Sequence, residues 1–150
     1  MVKVIMLIAF LVASFYNFRL GYLNEIRIKI KTTFLIIIGA YSILILIIAG
    51  KKDGSILGYI LALSTILLLV SIILSRGLRD AGIVVMNGAS PLLILLKKKD
   101  IKDISLEEKK TEIKLRIKAK GTCFVEYFRK EDREKIEELL GTYKSKAKTS

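Results

Sequence analysis

The chain has 150 residues, 53% of them hydrophobic, and a net charge of +12, with no histidine and a single cysteine. The missing histidine excludes imidazole acid–base catalysis and imidazole metal ligation, and Cys123 has no partner for an internal disulfide. The length suits either one ordinary domain or a membrane unit with a small soluble one, and the segregation of apolar and charged residues points to the second.

Three apolar runs come first: Val4–Tyr16, Thr33–Gly50 and Ser55–Ser75. A bilayer core about 30 Å thick needs roughly 20 apolar helical residues. The third run meets that length without a charge, and the second is uncharged between Lys31 and Lys51-Lys52. Only KKDG separates the two, so they read as a membrane hairpin. The first run, with Lys3 before it and Ala13-Ser14 within it, also has the features of a signal peptide. Charge bias favours a retained span. With the N-terminus outside, the Arg19–Lys31 loop and the basic C-terminal half both face the cytoplasm, as short basic loops do. A cleaved signal would invert this. The expected localisation is therefore a multi-pass cell-membrane protein, N-terminus outside and C-terminal region inside.

The loop GYLNEIRIKIK alternates Ile26, Ile28 and Ile30 with Arg27, Lys29 and Lys31, as a short strand would. Leu20, Leu23, Ile26 and Ile30 also fit a surface helix against headgroups. The plainer reading is a set of topology-setting charges. Within the runs no ionisable residue lies between Thr33 and Gly50 or between Ser55 and Ser75, which argues against a solute or proton path. The Gly58–Ala62 spacing suits close helix packing, within the chain or between copies.

From Arg76 to Ser150 there are 19 Lys/Arg against 12 Asp/Glu. RGLRDAG reads as a connector. Ile83–Met86 has strand composition, Asn87-Gly88 is a turn signal that Ala89-Ser90-Pro91 lengthens, and Leu92–Leu96 is a returning strand. Lys97-Lys98-Lys99-Asp100 is a charged loop before a short strand at Ile101–Leu106. In Glu112–Lys120 the residues Ile113, Leu115, Ile117 and Ala119 share one face, while Lys114, Arg116, Lys118 and Lys120 share the other. Gly121-Thr122 turns the chain into Cys123–Phe128, where Cys123 is expected half-buried. Helical period returns after Lys130 with Ile136, Leu139 and Leu140, acidic residues lead the segment, and Gly141 is placed as its stop.

The fold class expected is thus α+β. Residues 1–75 form a three-helix transmembrane region, with spans at about 4–16, 33–50 and 55–75. Residues 76–141 form a small antiparallel sheet domain closed by a C-terminal helix, and residues 142–150 a polar basic tail. RGLRDAGIVV, KKKDIKDISL, the alternating strand and FRKEDREKIEELL together resemble small bacterial membrane proteins with a pleckstrin-homology-like cytoplasmic domain. Among these the chain is most similar to the uncharacterised group DUF5673. The resemblance covers roughly Arg76–Leu140, implies a PH-like fold and supplies no catalytic residue.

The functional expectation is a non-enzymatic integral membrane protein. Its basic residues Lys97, Lys98, Lys99, Lys114, Arg116, Lys118 and Lys120 would contact anionic lipid headgroups or an acidic protein surface. The plainer reading of these residues is a solvated strand face. The alternative function is an accessory or oligomeric subunit of a membrane transport complex, and homo-oligomerisation is left open. No cofactor is expected. Nucleic acid is not an expected partner, because a core role accounts for Phe124, Tyr127 and Phe128 more simply than a stacking surface. The carboxylates at Asp100/Asp103, Glu107/Glu108 and Glu131/Asp132 sit among lysines as solvated charge patterns, not as a paired catalytic set.

Overall fold

The structure, a computed structural model, describes residues 1–88 and 90–147, with side chains through Gly141. Three helices come first: α1 (Val2–Tyr22), α2 (Thr32–Lys52) and α3 (Ile56–Leu74). Among the described residues these three are long and apolar enough to cross a membrane. At 1.5 Å per residue they extend about 28–32 Å, the thickness of a bilayer core. The Ser55 side chain caps α3 by accepting from the Gly58 amide at 3.1 Å.

α1 runs six residues past the expected end at Tyr16, through Asn17 and Arg19 to Tyr22. It packs against α3 in parallel. Asn17 Nδ2 donates to Ser71 Oγ at 3.1 Å, and a Cβ built on Gly21 would lie 2.4 Å from Ser75 Cα. Both pairs are 54 residues apart, so a single register holds along this contact. At the opposite end Lys3 Nζ meets Asp53 Oδ1 at 2.7 Å, joining the start of α1 to the α2–α3 loop. That contact holds the Asp53 carboxyl below the usual carboxylate range, chiefly through the Lys3 hydrogen bond and then that of Ser55. Gly58 and Ala62 are buried, and at Gly58 the space beside the backbone is taken by the Asp53 side chain. α2 contacts α3 with no residue of its own buried, although it is apolar all round, the composition of a membrane span.

The strands are more numerous than the sequence suggests, and one of them lies between α1 and α2. β1 (Ile26–Arg27), β2 (Gly77–Arg79), β3 (Gly82–Met86) and β4 (Leu93–Lys97) form one antiparallel sheet in that order. β5 (Ile101–Glu108), β6 (Glu112–Ala119) and β7 (Thr122–Arg129) form a second. Two expectations are corrected here. RGLRDAG is not a connector, since it contains β2 and the turn into β3. Of the alternating stretch Ile26–Lys31 only Ile26–Arg27 forms a strand, whose partner lies about fifty residues later. Lys98–Asp100 forms a 3-10 turn between the sheets. Ala89, part of the lengthened turn after Asn87-Gly88, lies outside the described residues.

β6 and β7 join through a two-residue turn in which Lys120 has φ 51° and Gly121 φ 77°. Positive φ at both central positions matches the right-handed strand twist and makes Gly121 the favourable residue there. The turn thus falls one residue earlier than expected. Alternation then sets the faces. Ile113, Leu115, Ile117 and Ala119 are buried, as are Phe124, Glu126 and Phe128. Cys123 is exposed, correcting its expected half-burial, because it shares the outer face of β7 with Val125.

Residues from both sheets meet in one core: Ile26, Leu78, Ile83, Val85 and Leu96 from the first, Ile113 to Phe128 from the second. α4 (Arg133–Ala147) adds Ile136 and Leu140. Glu108 anchors the start of this helix region, with Lys130 Nζ at 3.0 Å and Arg133 Nη1 at 2.6 Å. α4 does not stop at Gly141 but continues to Ala147. One glycine costs only about 1 kcal/mol in a helix, too little to end it alone. Side chains of the tail at 142–150 lie outside the described residues.

Candidate functional site

The segment between α1 and α2 is built into the sheet module. The Glu25 amide donates to Leu78 O at 3.0 Å, Ile26 and Arg27 pair with Leu78 and Gly77, and the Ile28 amide reaches Arg76 O at 3.5 Å. The Lys29 amide then donates to Tyr127 O at 2.6 Å. This short stretch therefore bonds both to the first sheet and to the outer strand of the second. Ile26 enters the core, and the alternating Arg27, Lys29 and Lys31 carry the charge.

Beside this seam lies a cleft of about 210 Å³. Phe34 from the first turns of α2 and Ile73 from the last turn of α3 form its apolar side, with Ile28 and Ile30 from the loop. Lys29, Lys31, Arg76, Glu126 and Tyr127 supply its polar side. The cleft thus opens where the helices end and the sheets begin. Lys31 Nζ lies 4.0 Å from the Tyr127 ring centroid, and Lys109 Nζ 5.7 Å, both within cation–π range. Lys29 Nζ donates to Thr111 O at 2.9 Å. Lys29 and Lys31 also share Glu112, at 4.0 and 3.8 Å, the outer limit of an ion pair.

Arg76 is engaged differently. Its Nη2 donates to Glu126 Oε1 at 2.6 Å and also to Oε2, while Nε reaches Oε1 at 3.2 Å. Burial pushes the Glu126 carboxyl above its ordinary range, and the charge and hydrogen bonds of Arg76 pull it back only in part. Arg76 is therefore a fixture of the cleft wall, whereas Lys29 is held by the Thr111 carbonyl and Lys31 by the Tyr127 ring, each with Glu112 only at the outer limit of an ion pair.

The seven basic residues singled out from the sequence do not form one patch. Lys114, Arg116, Lys118 and Lys120 project on the outer side of the second sheet, and each faces a carboxylate. Lys114 lies 3.4 Å and Arg116 3.8 Å from Glu107, Lys118 lies 3.6 Å from Asp103, and Lys120 lies 3.9 Å from Asp100. Register explains the pattern, because Lys114 sits opposite Glu107 and Lys118 opposite Asp103. Three carboxylates thus offset most of the charge of the four cations on this face. Lys97, Lys98 and Lys99 gather at the corner between the sheets, where Lys98 Nζ reaches Asp80 Oδ1 at 2.7 Å.

Sequence reasoning missed the cleft because its walls come from three separate stretches of chain. One signal was present: Glu126 alternates with Phe124 and Phe128 on an inner strand face, and a buried carboxylate requires a cation. Among the described residues no group of three or more His, Cys, Asp or Glu is placed to hold a metal ion. Comparison with protein-family models, with curated proteins and with solved structures returns no match.

Proposed function

We propose that the chain is a three-span membrane protein, N-terminus outside, whose sheet module sits at the inner leaflet and binds an anionic lipid headgroup in the cleft beside Lys29 and Lys31. The observation that carries this reading is the cleft's two-sided lining at the level where the spans end. Lys29 and Lys31 suit a phosphate, and Phe34 and Ile73 suit the first carbons of an acyl chain. The orientation draws support from charge. The module end holds Arg19, Arg27, Lys29 and Lys31 with Glu25, while the other end holds Lys3, Lys51 and Lys52 with Asp53, which leaves the module end the more basic. The PH-like resemblance rests on the sequence alone, and fold does not by itself assign a ligand. The role is one of membrane-anchored binding, without chemistry.

Native mass spectrometry of the detergent-purified chain tests the headgroup reading. The wild type should retain anionic phospholipid in preference to a zwitterionic one, and Lys29→Gln/Lys31→Gln should lose that preference. Equal retention by the double variant would remove the proposal. Reporters fused after Asp53 and after Ser150 test orientation, and an external C-terminus would place the cleft at the wrong leaflet.

A further inference from the structure

The β3–β4 hairpin is chemically unlike the rest of the sheet module. From Gly82 to Leu96 it carries no charged residue across fifteen positions, although Arg79-Asp80 and Lys97-Lys98-Lys99 lie just outside it. β3 runs antiparallel to β2, which leaves α3 at Gly77 opposite Val84. The hairpin therefore heads back toward the helices, and Met86 reaches two residues beyond the Gly77 level before pairing with Leu93. All of its flanking charge lies at the end away from the helices.

The turn end is fixed beside the spans by one buried side chain. Asn17 of α1 is 0% exposed. Its Nδ2 donates to Pro91 O at 3.0 Å and to Ser71 Oγ at 3.1 Å, and its Oδ1 accepts from the Leu93 amide at 3.0 Å. Asn17 lies five residues before the end of α1 at Tyr22, or about 8 Å up the helix axis. The turn is thus alongside the inner end of the spans, not beneath it. There Met86 and Leu92 are 39% and 42% exposed, and Asn87, Gly88 and Pro91 are exposed with them. Phe15, Tyr16, Phe18 and Tyr22 are exposed on α1 around the same level, in the manner of an interfacial aromatic belt.

We infer that this turn is a second membrane contact, seated in the interfacial layer of the leaflet on the module's side, with Met86 and Leu92 against the acyl chains and Asn17 setting its depth. Continuity with the lipid-facing helices selects lipid as the occupant. A turn outside a regular hydrogen-bond ladder does not enter the hydrocarbon interior, where any backbone group left without a partner is costly. The headgroup and upper acyl boundary accepts both the apolar side chains and the hydrated backbone. Held by the spans and by the turn beside them, the sheet module would keep a fixed tilt. This contact uses none of the cleft residues, so it stands or falls independently of headgroup binding there.

The test uses the full chain in vesicles. Cys123→Ser removes the native thiol, and Asn87→Cys or Lys99→Cys, labelled with an environment-sensitive fluorophore, reports the two ends of the hairpin. The label at 87 should be quenched several-fold more than that at 99 by lipids spin-labelled near the glycerol end, and should be shielded from iodide. Equal iodide access at both positions overturns the inference, because the turn is then in water. Shielding at 87 from both iodide and lipid quenchers also overturns it, because protein then covers the turn. Adding Asn17→Leu should reduce lipid quenching at 87 and leave 99 unchanged. Undiminished quenching would remove Asn17 as the depth-setting residue.

Discussion

Arg76 and Glu126 lie fifty residues apart in sequence and close three hydrogen bonds at the point where the last membrane helix meets the second sheet. Arg76 directly follows Ser75, the C-cap of α3, and Glu126 sits on the inner face of β7 at 3% exposure. The pair links the helices to a sheet that begins only at Ile101. It also fixes the back wall of the cleft.

Removing one member should cost far more than removing both. Glu126→Leu leaves a half-buried guanidinium without its counter-charge, a loss of about 3 kcal/mol, the low end for a buried pair. In Arg76→Met/Glu126→Leu neither charge remains, and most of that loss should return. Thermal unfolding of the four proteins in detergent gives the cycle, and strictly additive losses would show that the two groups do not act as a pair.

The same pair gives a pH signature. Glu126 keeps its proton to higher pH in the folded chain than in the unfolded one, mainly through burial. Its contribution is therefore complete below the ordinary carboxylate range and is lost as pH rises through the elevated folded value. Glu108 has the opposite sign, because the Lys130 hydrogen bond and then the Arg133 charge hold it low. Its contribution is present above the ordinary range and lost on acidification. Melting temperature against pH should flatten on the upper side in Glu126→Gln and on the acid side in Glu108→Gln. Identical profiles in wild type and both variants would contradict these assignments.

Helix contact gives a third expectation. Gly21 faces Ser75 so closely that an added Cβ would sit 2.4 Å from its Cα and 2.5 Å from its Cβ. Neither is the end of a flexible side chain, so α1 and α3 must separate. Gly21→Ala should lower stability by about 1–3 kcal/mol, as overpacking does. Gly39, with nothing near its Cβ position, should accept alanine at no loss. Thermal shifts of the two variants compare the sites directly, and equal behaviour would refute the close approach.

The spans were legible because length and absence of charge are local properties of the sequence. β6 was legible for a similar reason, its period of two running unbroken from Ile113 to Ala119. β2 was hidden, since three residues cannot display a period and Gly77 lowers strand propensity. The alternation at Ile26–Lys31 was visible, but its choice between strand and surface helix depended on partners at Gly77, Leu78 and Tyr127. Cys123 was misplaced because its residue type suggested burial, while alternation along β7 set it on the face opposite Phe124, Glu126 and Phe128 without saying which face lay inside. The cleft required three-dimensional closure and could not be read from any one segment.

The outer sheet face shows what register adds to composition. Lysines and arginine on β6 read as a cationic stripe, yet β5 places Asp103 and Glu107 beside them at 3.4–3.8 Å. Exposed pairs of this kind contribute little stability, but they offset most of the field an anionic surface would meet. Asp103→Asn/Glu107→Gln should therefore leave the melting temperature nearly unchanged while freeing Lys114, Arg116 and Lys118. With the protein held in zwitterionic nanodiscs, added anionic vesicles should bind the double variant more strongly than wild type. The gain should disappear at high salt, as screening within a Debye length of about 8 Å at physiological ionic strength requires. Strong vesicle binding by the wild type, with no gain in the variant, would mean that the face is cationic despite its acidic neighbours.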